Sequence, residues 1–177
     1  HGGVDLMFPH HENEIAQSEA ANNCPFCHNW AHNEFLNFGT EKMSKSLGNV
    51  VKIRDFVGKY GGQVLRHILL TVHYRARLEW SDEVVQKGID EVRRIHEFVL
   101  DVNSYKPNGT GLNPDIAACI PKMEEELAND FNSAGALGHF FTLLRQVKGL
   151  RDQLSAESIA EVKRVIKYVQ ETMGLIN

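Results

Sequence analysis

Cysteine is scarce in this chain: three residues in 177, at positions 24, 27 and 119. So few, and so unevenly placed, they exclude a disulfide framework and point to a reducing compartment. Long hydrophobic runs are missing too. Nothing approaches the roughly 20 apolar residues of a membrane span, so no membrane partner is expected. There is no excess of positive charge. The formal net charge is −4, which argues against a general affinity for nucleic acid, so a polyanion would have to meet local clusters. Internal repeats, low-complexity tracts, an initiator methionine and a leader pattern are also absent. The first residues already read as the middle of a domain, so a fragment of a longer protein is the expectation.

What is present suits a soluble globular chain, 42% hydrophobic and 24% charged, with material for one good core or a small domain plus part of another. The charge is uneven: 8 Lys+Arg stand against 7 Asp+Glu through residue 78, then 11 against 16. Residues 1–60 alternate short elements with turns. Pro9 suits the first turn of a helix through "HHENEIAQSEAA", ended by Asn22-Asn23. A second short helix fits "PFCHNWAHN", "EFLNFG" alternates like a strand, and "IRDFVGKY" makes a turn or two of helix before Gly61-Gly62. "QVLRHILLTVHY" is apolar nearly all round and predicts a buried helix.

From Ser81 the pattern changes. Ser81 predicts an N-cap with Asp82 and Glu83 in the first turn, followed by a stripe of Val85, Ile89, Val92, Ile95, Val99 and Val102. "KPNGTGLN" reads as a loop. Asn113-Pro114 then starts a helix carrying Ile116, Ile120, Met123 and Leu127. Leu137, Phe140, Leu144, Val147 and Leu154 stripe a third helix; Ile159, Val162, Ile166, Val169 and Met173 stripe a fourth that starts near Ser155. Four amphipathic helices with short connections predict an antiparallel bundle after residue 80. The overall class is mostly α with a small α/β part.

Four stretches carry candidate chemistry. "EKMSKSLGNV" (41–50) is a cationic, hydroxyl-rich loop. Lys42 and Lys45 are mobile ammonium groups, Ser44 and Ser46 can donate to phosphate oxygens, and Gly48 permits close backbone approach, so an anion is the natural ligand. A solvated turn is the alternative. "HHENE" places His10 and Glu14 at i and i+4, one helical face, where both could reach one metal ion; an ordinary polar helix start has the same spacing. The zinc-protease pattern fails there, because Ile15 stands where the second histidine would be needed. "CPFCH" resembles half a zinc knuckle but has no second half, and small buried or half-buried cysteines are the favoured reading. In "GGVDLMFP", two glycines and Asp5 suit close approach to a small ligand, with the carboxylate holding an amine; a tight turn with a capping aspartate fits equally.

The order of these stretches says more than any one of them. "GGVDLMFPHHENEIAQSEAA", "WAHN", "EKMSKSLGNVV", "VLRHILLTVHYRARLEWS" and "NDFNSAGAL", in that sequence, resemble cysteinyl-tRNA synthetase over essentially the whole chain. The resemblance is tightest at 2–20 and 40–81. It implies the C-terminal piece of a class I Rossmann catalytic domain (1–80) followed by a helical anticodon-side domain (81–177), in a cytoplasmic ligase of protein biosynthesis. The implied activity is ATP-dependent conversion of L-cysteine to cysteinyl-adenylate, with ATP and magnesium, and transfer to cysteine tRNA. One zinc ion per intact subunit would bind the substrate sulfur, with His10 and Glu14 as two ligands. Lys45 would stabilise charge developing on the ATP phosphates, Lys42, Ser44 and Ser46 would add phosphate contacts, and Asp5 would bind substrate. The HIGH-type ATP motif and two cysteine zinc ligands of the family do not occur in these residues, so the chain alone is expected to be inactive. Alternatives are the paralogous cysteine ligase of mycothiol synthesis and a non-catalytic binding module. Arg145, Lys148 and Arg151 with Lys163, Arg164 and Lys167 would form a basic strip for tRNA backbone if their helices are neighbours; solvated faces paired with nearby acids are the alternative.

Overall fold

Hydroxyl and amide side chains start the long helices where the sequence predicts. Ser81 accepts from the Val84 N–H at 3.3 Å, Asn113 from the N–H groups of Asp115 and Ile116, and Ser155 from Ser158 at 3.0 Å. Each satisfies a donor that the first helical turn leaves open. The computed structural model of the protein describes residues 1–38, 41–42 and 52–176, with the backbone alone at 38, 41 and 42. The described part is mostly helical: α1 (Glu12–Asn22), α2 (Ile53–Tyr60), α3 (Gly62–Leu70), α4 (Asp82–Ser104), α5 (Pro114–Ala117), α6 (Cys119–Ala128), α7 (Ser133–Gly149) and α8 (Ala156–Met173). Five short strands accompany them: β1 (Gly2–Gly3), β2 (His32–Asn33), β3 (Leu36–Phe38), β4 (Glu41–Lys42) and β5 (Leu78–Trp80).

Two compact units result, one from residues 1–50 and 74–80, the other from 51–73 and 81–177. In the first, β1 pairs parallel with β2, Gly2 opposite His32. A second sheet has the order β4-β3-β5, with β3 antiparallel to β4 and parallel to β5. Residues 24–31 are not helical, against the helix predicted over "PFCHNWAHN". Pairing of the following strand with the Gly2-Gly3 strand outweighs the local pattern there. Helix α1 ends as predicted, at Asn23 in the left-handed region (φ 50°).

In the second unit α3 and α4 approach closely at Gly88, where a Cβ would meet Ile68 Cγ1 at 2.6 Å. The predicted all-round burial of α3 does not hold. Val64, His67 and Ile68 are buried while Leu69 is half exposed, and the helix stops at Leu70. Thr71 follows, its hydroxyl donating to the Ile68 carbonyl and competing with helix continuation. The helix predicted from Asn113 is two, broken at Ala118; Pro121 has no N–H for the Ala117 carbonyl four residues back. One core joins these helices, with Ile95, Phe98, Ile116, Met123, Phe140, Leu144, Val162 and Val169 fully buried.

The last helix is clasped at its end. Gly174 takes the left-handed conformation (φ 64°), and the Arg66 guanidinium of α3 donates to the Met173 carbonyl. A cation at a helix C-terminus complements both the unpaired carbonyls and the dipole. A Cβ on Gly174 would meet Arg66 Nε at 2.9 Å. Gly174→Ala is therefore expected to destabilise the protein by about 1–2 kcal/mol from the left-handed backbone alone. The shift in the midpoint of urea unfolding measures it.

Candidate functional site

The first unit brings its chemistry to the paired glycine strand. Gly2 donates its N–H to the Ala31 carbonyl at 3.1 Å, fixing the β1–β2 pair. Directly over it lies His11, buried, whose Cε1 would stand 2.7 Å from any Cβ at position 2. Glycine is required there for the ring to sit on the backbone. His11 Nδ1 and His32 Nε2 share a hydrogen bond of 2.7 Å. The His32 ring stacks on Trp30 (centroids 5.9 Å, planes 3° apart), and His11 tilts against both. "WAHN" thus contributes two aromatic rings that pack on the histidine seated at "GG". The sequence reading missed this trio as a constellation, because its members are about 20 residues apart. Two glycines followed by a doubled histidine were the signal available.

Asp5 lies in a 3-10 turn (Val4–Leu6), exposed, with Oδ1 folded so close to Gly3 that a Cβ there would stand 2.6 Å from it. The Asp5 carboxylate thus lies against the end of the glycine strand. His10 and Glu14 are both exposed, His10 in the irregular turn Met7–His11 and Glu14 in the first turn of α1, where an acid is also favoured by the helix dipole. Their donor types suit zinc. Their number does not: among the described residues no group of three His, Cys, Asp or Glu side chains converges as a metal site, and zinc needs three or four protein ligands. The described residues do not amount to a zinc site.

Cys24 and Cys27 are exposed, against the buried reading, and the Cys27 thiol donates to the Asn29 carbonyl at 2.9 Å. Both lie in the irregular segment that replaces the expected helix, so no core forms around them. Cys119 is buried, and that burial pushes its thiol up to about 11, partly offset by Lys122. It is a protonated core residue at neutral pH.

Lys45, Ser44 and Ser46 lie outside the described residues, and Lys42 is described by its backbone alone. That backbone is informative. Lys42 pairs opposite Asn37 in β4, an edge strand of its sheet. In the second unit three of the six cations of the expected basic strip stand beside acids. Arg164 bonds Glu161 at 2.6 Å, Lys167 lies 3.6 Å from Glu171 and Lys148 lies 3.9 Å from Asp101. No described helix is long and apolar enough to cross a membrane.

Residues 1–90 match the family described as tRNA synthetases class I (C) catalytic domain, and residues 122–177 match the DALR domain. The cysteine–tRNA ligase of Geobacter sulfurreducens is 39% identical over 184 residues, spanning 98% of this chain and 38% of that protein. That of Geobacter metallireducens is 40% identical over 188 residues, with 98% and 39% covered. The chain spans about two fifths of the length of these curated relatives. Among solved structures, the ternary complex of an Agrobacterium radiobacter LeuRS with tRNA and LeuAMS superposes with a TM-score of 0.78 at 17% identity, covering 98% of this chain and 25% of that one. Mycobacterium tuberculosis methionyl-tRNA synthetase with methionyl-adenylate gives 0.63 at 19%, covering 97% and 41%. At these identities the likeness establishes a fold of the class I synthetase kind.

Proposed function

Because the chain belongs to the tRNA synthetases class I (C) catalytic-domain family, we propose that the protein it represents is a cysteine–tRNA ligase. It would join L-cysteine to ATP as cysteinyl-adenylate and pass the cysteinyl group to tRNA in the cytoplasm. One observation carries the cysteine assignment: relatives named cysteine–tRNA ligases align along nearly the whole chain.

On this reading the exposed Asp5 holds the substrate ammonium beside the Gly2-Gly3 strand. The His11 ring, held by His32 and Trp30, braces that strand, so the geometry is set before substrate arrives. The segment leaving β4 brings Lys42, Ser44, Lys45 and Ser46 to the ATP phosphates and their magnesium. The substrate carboxylate attacks the α-phosphorus, an adenylate bond forms and pyrophosphate leaves carrying the displaced charge. Lys45 meets that charge. His10 and Glu14 are at most two of the ligands a zinc ion would need, and further donors would have to come from other residues. Residues 1–80 are assigned to the catalytic domain and 81–177 to a helical, antiparallel domain on the anticodon side.

Exchange of labelled pyrophosphate into ATP by the full-length protein tests the proposal. Exchange dependent on cysteine, at least tenfold slower with serine, is expected, together with charging of tRNA by labelled cysteine. Absence of cysteine-dependent exchange would overturn the reading. Exchange without tRNA charging would favour the mycothiol-type ligase.

A further inference from the structure

A cleft of about 430 Å³ opens between the end of α4 and the 3-10 turn Arg151–Gln153, lined by Tyr105, Lys106, Pro107, Asn108, Arg151 and Asp152 among others. That volume is within the range of small-ligand sites, about 300–1,000 Å³. Its two walls are fastened to each other. Asn108 and Gly109 donate their N–H groups to the Leu154 carbonyl at 2.8 and 3.1 Å, and Asn108 Nδ2 donates to the Asp152 carbonyl at 2.9 Å. A side chain at Gly109 would strike the Gln153 carbonyl. The shape is thus set by backbone contacts rather than by movable side chains.

The charges in the cleft differ from those on the helices around it. Lys148, Arg164 and Lys167 stand beside acidic partners. Lys106 and Arg151 are in no ion pair among the described residues. Arg151 instead lies over the Tyr105 ring at 5.4 Å, a cation–π contact that orients the guanidinium without using its hydrogen-bond donors. Burial, then Asp101, raises the Tyr105 phenol above its usual value, so its hydroxyl stays a donor. The remaining lining charge is the Asp152 carboxylate, an acceptor. A densely anionic ligand is disfavoured by that carboxylate. One phosphodiester with an adjacent ribose is not: two cations and a phenol meet the phosphate, and a carboxylate accepts from sugar hydroxyls.

We propose that this cleft binds one phosphorylated ribonucleotide unit of an RNA strand, with Lys106 and Arg151 on the phosphate and Asp152 on the 2′-hydroxyl. The choice of RNA over a free nucleotide rests on the function proposed above; the pairing of phosphate and ribose chemistry does not. The 2′-hydroxyl is what distinguishes RNA from DNA, so the cleft discriminates between them.

Binding of fluorescein-labelled octauridylate to the full-length protein, followed by anisotropy between 50 and 200 mM salt, tests the proposal without any reaction. Lys106→Ala with Arg151→Gln should weaken binding about tenfold and make the salt slope shallower by about 0.7, as for one phosphate contact to a single strand. Arg151→Lys with native Lys106 should restore most of the slope. Asp152→Ala should reduce the preference for octauridylate over its deoxy counterpart. Thermal midpoints within a few degrees of the unaltered protein keep misfolding separate from lost binding. An unchanged affinity and slope in the double variant would overturn the proposal, as would displacement of the RNA by an equal concentration of uridine monophosphate. Because binding is read directly, failure of this site and failure of cysteine activation are separate outcomes.

Discussion

Lys45→Ala in the full-length protein is expected to slow cysteinyl-adenylate formation by about 10²–10³-fold, the scale of losing one positioned charge stabiliser. The KM for ATP should change far less. On the proposed function the ground-state phosphates would be shared among magnesium, Lys42 and the serine hydroxyls, whereas the charge assigned to Lys45 would develop only as pyrophosphate departs. Strand β4 holds Lys42 in register with Asn37, and Lys45 is three residues further along a chain whose starting point is fixed. Lys42→Ala should be milder. Single-turnover measurement of adenylate at saturating ATP distinguishes the cases. Equal losses in KM and rate for Lys45→Ala would contradict the role.

The largest expected effect on stability is at Phe140. Phe140→Ala should cost about 3–5 kcal/mol, the range for removing a buried aromatic ring and leaving a cavity. Phe140 has no exposed surface and stands in the core that unites α4 through α8. Phe131, nine residues earlier, is 71% exposed, so Phe131→Ala should move stability by no more than about 0.5 kcal/mol. The two denaturation midpoints, measured side by side, separate burial from mere aromatic content. A small effect at Phe140 would mean that the core collapses around the deletion.

The helices were legible where their signals are local. Ser81, Asn113 and Ser155 cap because their side chains reach N–H groups two or three residues on, and a sequence window contains both partners. The α8 stripe of Ile159, Val162, Ile166, Val169 and Met173 was legible for the same reason, and four of the five are buried. Within α4 the pattern was right and its details were not. Gly88 and Phe98 are buried where Ile89 and Val99 are half-buried, because α3 packs at Gly88, which a hydrophobicity count scores as nothing. The segment around Trp30 was misread since its conformation is decided by Gly2 and His11, far away in sequence. The site divides likewise. Asp5, His10 and Glu14 were visible as residue types at useful spacing, whereas the His11–His32 hydrogen bond spans 21 positions. No local pattern encodes it.

The clasp between Arg66 and Met173 joins residues 107 positions apart, and Leu175 and Ile176 beyond it are themselves buried. A ribosome adding about 5–20 residues per second needs roughly 5–20 s to travel from one partner to the other. For that interval α3 has emerged and the apolar stripes of α4, α6 and α7 follow it without the helix that covers them. This unit therefore cannot close progressively from its beginning. Its core stays open to chaperones, or to neighbouring chains, until translation has passed the final turn of α8.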